Sequence, residues 1–108
     1  MGYYTSYELT LPNETSPEVV DGIRAMLEDL EVIDYALDRN FCCYDAVKWY
    51  DHEEDMIKVS KAFPDVHFCL SGRGEESEDI WECHFKGGKS VKYYAEITIP
   101  PFNEADLR

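Results

Sequence analysis

Positive charge is scarce in this chain. Against 23 Asp and Glu its 108 residues carry only 10 Lys and Arg, for a formal net charge of -13 and a pI near 4.4. Such a field repels phosphate backbones, which excludes direct nucleic-acid binding as a first expectation and favours a basic protein partner. Lys86, Lys89 and Lys92 form one small basic spot, too few charges to reverse that balance. Long apolar runs are missing as well. No stretch approaches the roughly 18 residues of a membrane span, and Met1 to Tyr7 has neither the basic nor the apolar region of a signal peptide. The expectation is a soluble cytoplasmic protein whose cysteines are reduced. Those cysteines, Cys42, Cys43, Cys69 and Cys83, show no CxxC spacing, so metal binding and plain burial compete as explanations. The glycines of Gly72-Arg73-Gly74 and Gly87-Gly88 each precede strand-like sequence, not a helix, which excludes a phosphate-binding loop. There is no internal repeat, and the length suits one domain spanning 1–108.

What the chain does have is apolar surface: 44% hydrophobic and 14% aromatic residues, enough to offset the entropy of ordering it. Tyr3 to Leu11 alternates apolar and polar residues and stops at Pro12, as a strand does. Ser16 before Pro17 is a helix start, and Val19, Val20, Ile23, Met26, Leu27 and Leu30 line one helical face behind it. Residues 31–40 have no clean period and read as a helical extension or a connection. The aromatic run Phe41 to Tyr50 predicts a second strand, and Asp51-His52-Glu53-Glu54 a capping box for a helix bearing Met56, Ile57, Val59, Ser60 and Phe63 that Pro64 ends. Val66 to Leu70, Ile80 to Phe85 and Val91 to Ile99 predict three more strands, closed by Pro100-Pro101. The order β-α-β-α-β-β-β makes an α+β fold, two helices on one face of a mostly antiparallel sheet, ferredoxin-like or a variant of it.

Two segments carry a resemblance: Lys48 to Met56, and Phe63-Pro64-Asp65-Val66 leading into Gly72 to Glu76 and Asp79-Ile80-Trp81. They resemble small ferredoxin-like proteins of phages and mobile elements, grouped as YubB-like. The resemblance covers roughly the second half of the chain, and its pattern is structural. It implies a phage or mobile-element origin; with the small size and strong acidity, an inhibitor of a host defence enzyme follows, similar to anti-CRISPR proteins acting on a type II CRISPR nuclease. No catalytic set stands out, so the expectation is a non-enzymatic protein that blocks target DNA loading through acidic residues. The docking candidates are Glu28, Asp29, Glu31, Asp34 and Asp38, with Glu75, Glu76, Glu78 and Asp79 from a turn. A solvated surface is the plainer explanation of the same charges, and Tyr35, Tyr44 or Tyr94 are alternative anchors. A regulatory module with another host partner is the second reading, and a small enzyme using Cys42 or Cys69 the third.

The resembled pattern carries other residue types where this chain has His67, Cys69, Cys83 and His84. Alternation along a strand sends His67 and Cys69 outward if Val66, Phe68 and Leu70 face the helices. On the next strand Trp81, Cys83 and Phe85 face inward, which sends His84 and Glu82 outward beside them. Cys42, or Cys43 if a bulge shifts the phase, then completes a Cys42, His67, Cys69, His84 set for a structural zinc ion. Small apolar cysteines and ordinary surface histidines are the plainer alternative, and Cys83 reads as core.

Overall fold

The computed structural model describes residues 4–43, 45–75, 79–96 and 99–107. In chain order the elements are β1 (Thr5–Thr10), α1 (Pro17–Asp29), α2 (His52–Ala62), β2 (Phe68–Gly74), β3 (Ile80–Lys86) and β4 (Lys89–Tyr94), with a 3-10 turn at Glu104–Asp106. The strands form one sheet in the order β1-β2-β3-β4, every neighbour antiparallel. This is the expected α+β class, two helices and an antiparallel sheet, in a variant of the ferredoxin-like arrangement with one strand fewer among the described residues than the sequence pattern suggests.

Strand alternation sorts the sheet into an inner and an outer face. Tyr7, Leu9, Phe68, Leu70, Trp81, Cys83 and Phe85 are buried together with Ile23 and Leu27 of α1 and Met56 and Val59 of α2. Gly72 lies between Tyr7 and Trp81 in the register, and a Cβ there would fall 2.1 Å from the Trp81 indole. Glycine is what lets the indole lie against the sheet. At the other end, Gly87 (φ 58°) and Gly88 (φ 82°) make the two-residue hairpin between Lys86 and Lys89, left-handed positions that suit the strand twist. The Gly88 N–H donates to Ser60 Oγ at 2.9 Å and so ties this hairpin to α2.

α1 starts as the sequence requires: Ser16 accepts a hydrogen bond from the Val19 N–H and Pro17 occupies the first turn. α2 departs from expectation, because Asp51 makes no side-chain cap. The first-turn acids serve tertiary contacts instead. Asp55 accepts from Trp49 Nε1 at 2.8 Å, and Glu53 pairs with Lys92 of β4 at 2.9 Å.

The strand expected over Phe41 to Tyr50 is the main correction. Residues 31–40 fold into a tight connection with Glu31, Asp34 and later Phe41 at positive φ (63°, 67° and 65°), burying Val32, Ala36, Leu37 and Phe41. The chain then borders the free edge of β1, where the Leu9 N–H donates to the Phe41 carbonyl and Thr5 and Val47 form a reciprocal pair. Four steps along β1 oppose six steps along this segment, so two residues are in excess and no ladder forms among the described residues. Tyr44, in that span, lies outside the described residues. The last strand ends at Tyr94 and does not reach Ile99; positions 97 and 98 lie outside the described residues. Among the described residues no helix is long and apolar enough to cross a membrane.

Candidate metal centre

Among the described residues no helix covers the outer face of the sheet, and its side chains follow from register. Cys69 stands directly opposite His84, and Glu82 precedes His84 by two residues on the same strand, hence on the same face. His67, just before β2, shares the parity of Cys69. His67 Nε2 lies 2.8 Å from His84 Nδ1, and His84 Nε2 lies 3.2 Å from Glu82 Oε2. The two imidazoles are 5.0 Å apart at 36°, and the Tyr93 ring meets His84 edge-on at 5.8 Å. Donor atoms of Cys69, Glu82 and His84 all lie within 4.8 Å of one another, a set that can hold a metal ion. Partial burial pushes the Cys69 thiol up, the Glu82 carboxylate adding to it.

Three of the four expected ligands, His67, Cys69 and His84, come together, but Cys42 does not. Its segment borders β1 and not β2, so β1 stands between Cys42 and Cys69. The Cys42 side chain is exposed, and Asp38 Oδ1 accepts from its N–H in a local turn. Cys43 bridges to Leu37 and lines a groove with Ser6, Glu8, Ser71, Arg73 and Glu82. Cys83 is core, as expected. Glu82 is the third donor, absent from the expected cysteine and histidine set although its outward parity beside His84 is plain in the sequence.

The acidic candidates divide by what they touch. Glu28 pairs with Arg39, and Asp38 Oδ1 also accepts from the Asn40 N–H, so both stabilise the connection after α1. Asp29, Glu31 and Asp34 are exposed around it. Glu75 accepts from the Tyr4 N–H at 3.2 Å, while the Asp79 carbonyl accepts from the Gly74 N–H. Glu76 and Glu78 lie outside the described residues. Tyr35 and Tyr94 are exposed.

A second cluster, unforeseen from the sequence, sits at the start of α2. The His52 ring stacks on Trp81 with centroids 5.0 Å and planes 20° apart, and its Nδ1 lies 2.9 Å from the Trp49 carbonyl. Lys92 Nζ is 3.3 Å from His52 Nε2 and 4.3 Å above the Trp81 ring. Burial holds His52 below its ordinary pKa, and the Lys92 hydrogen bond holds Glu53 below the usual carboxylate value. Its contacts join α2 to β3 and β4, which is a structural task.

Compared with known proteins, the chain matches no family model, no curated protein and no solved structure.

Proposed function

We propose that the protein is a non-enzymatic binding protein that docks through an acidic edge on a basic surface of a nucleic-acid enzyme. The carrying observation is that Glu75 and Glu31 flank one edge. Glu75, from the β2–β3 turn, accepts from the Tyr4 N–H; Lys48 Nζ lies 5.0 Å over the Tyr4 ring; and Lys48 lines the same cleft as Glu31, Tyr35 and Asp51. Glu31, just after α1, and Glu75, from the turn, are thereby brought to either side of Tyr4 and Lys48. With a net charge of -13 behind it, that edge steers toward a positive groove and raises the encounter rate at low salt.

The specific form of the proposal follows the resemblance: a phage or mobile-element inhibitor, acting in the host cytoplasm, that occupies the DNA-loading groove of a type II CRISPR nuclease. Its test is target cleavage by the guide-loaded nuclease, with the protein added before or after the DNA. Inhibition only on prior addition supports the reading. No inhibition at large molar excess overturns it for that nuclease.

A second reading has its own support in the convergence of Cys69, Glu82 and His84: the outer face binds zinc, which clamps β2 to β3. Thiolate, carboxylate and imidazole form an ordinary zinc donor set. Near-equimolar zinc in protein purified without added metal supports it; metal-free protein whose melting is unmoved by added zinc overturns it.

A further inference from the structure

We infer that the outer-face centre is a three-ligand site, with Cys69 Sγ, a Glu82 carboxylate oxygen and His84 Nε2 as donors, whose fourth position is open to a neutral nitrogen donor from outside the chain. This rests on the zinc reading and goes beyond it, because a closed four-ligand site would only brace the sheet, whereas an open one binds something.

His84 sets the ligand count. Its two ring nitrogens face different partners: Nε2 toward Glu82 at 3.2 Å, Nδ1 toward His67 at 2.8 Å. An imidazole that ligates through Nε2 carries its proton on Nδ1, and that proton needs an acceptor. His67 Nε2 stands at hydrogen-bond distance for the purpose. Its lone pair is then engaged, so His67 orients His84 and does not ligate. Such an orienting partner behind a metal-bound histidine fixes the tautomer and raises its basicity.

The sheet supplies the openness. Cys69 and His84 are direct cross-strand partners, and Glu82 sits two residues along the same face, so all three donors rise from one side of the ion. Tetrahedral coordination at about 2.0 to 2.3 Å then directs the fourth vertex away from the sheet. Glu82 is exposed, and among the described residues no helix covers this face. The donors stand on neighbouring strands and lie within 4.8 Å of one another, close enough for one ion to reach all three.

Charge selects the fourth ligand. One thiolate and one carboxylate neutralise a divalent ion, and the His84 ring adds nothing. A neutral centre on a strongly acidic protein has no electrostatic preference for a further anion. Water fills the position at rest, and an imidazole, the side chain of a histidine on a docked partner, displaces it. The small-molecule probe is imidazole itself.

The test is titration of Co2+ into the reduced full-length protein, read by absorption in the thiolate charge-transfer and visible d–d regions. The wild type is expected to develop both bands, and imidazole to shift the d–d band while leaving the thiolate band in place. Cys69→Ser, Glu82→Gln and His84→Ala lose or strongly weaken binding. His67→Ala keeps the bands and the imidazole response with affinity about 10- to 100-fold lower, and His67→Gln, whose amide oxygen accepts a hydrogen bond, recovers most of it. Absence of Co2+ binding by the wild type overturns the zinc reading itself. Binding insensitive to imidazole, with a four-ligand spectrum that collapses in both His67 variants, leaves the zinc reading standing and overturns the open position.

Discussion

The imidazole of His52 lies flat on the indole of Trp81, 5.0 Å between centroids and 20° between planes, and Lys92 reaches both rings from β4. Its Nδ1 faces the Trp49 carbonyl, which assigns the ring proton to Nδ1 and leaves Nε2 to accept from the Lys92 ammonium. A protonated His52 would confront Lys92 with a second positive charge. The first turn of α2 and the edge of the sheet are therefore joined by a histidine that the fold prefers neutral.

A pH dependence of stability follows. Burial depresses the folded-state pKa of His52, with Lys92 acting in the same direction against Glu53 and Asp55. The unfolded chain takes up the proton first, near pH 6.5, so stability falls as pH drops from there toward the folded pKa and levels off below it. His52→Gln removes that slope. Urea midpoints between pH 7.5 and 5 should decline more steeply for the wild type. The Glu53 contribution is lost only as pH falls below the ordinary carboxylate value, so the two windows separate.

Gly72→Ala is expected to destabilise the protein by about 1 to 3 kcal/mol, as overpacked cores do. A methyl group at 72 would meet three atoms of the Trp81 indole, the nearest at 2.1 Å, and Trp81 is held in turn by His52 and Lys92. Chemical denaturation reads the loss. A shifted tryptophan emission maximum in the folded state reports the displaced ring.

Ser60→Ala should cost about 1 kcal/mol. The buried Ser60 hydroxyl donates to the Ile57 carbonyl at 3.0 Å and accepts from the Gly88 N–H at 2.9 Å, and alanine leaves that N–H without its partner. Faster amide exchange at Gly88, with the rest of β3 and β4 unchanged, distinguishes loss of this bond from general loosening.

What was legible in the sequence was local or periodic. Ser16 and Pro17 announce α1, Pro64 stops α2, and the period of two along 67–70 and 81–85 places His67, Cys69 and His84 on one face before any register is known. The separation of Cys42 from this face was not legible, because it depended on which edge the 41–47 segment joins. That segment has strand-forming residues, but its excess length opposite β1 is a relation between distant parts of the chain that local propensity does not contain. The capping box failed for a similar reason. The Asp51 and Glu54 spacing is present, yet the acids of the first turn find tertiary partners in Trp49 and Lys92.

Glu31 and Asp34 offer a way to separate folding from docking. Both sit in the left-handed region, at φ 63° and 67°, where a side chain costs about 1 to 2 kcal/mol relative to the right-handed conformation and glycine fits without strain. Part of the gain from glycine is offset by its greater freedom in the unfolded chain, so Glu31→Gly should raise stability by about 0.5 to 1 kcal/mol. The same change removes a carboxylate from the cleft shared with Lys48, Tyr35 and Asp51. If this edge steers the protein onto a basic surface, Glu31→Gly and Asp34→Gly together yield a more stable protein that associates more slowly with its partner and with a weaker salt dependence. Thermal melting and association kinetics across ionic strengths check the two halves independently. A stabilised double variant whose association is unchanged at every salt concentration would show that these acids are solvated surface and take no part in recognition.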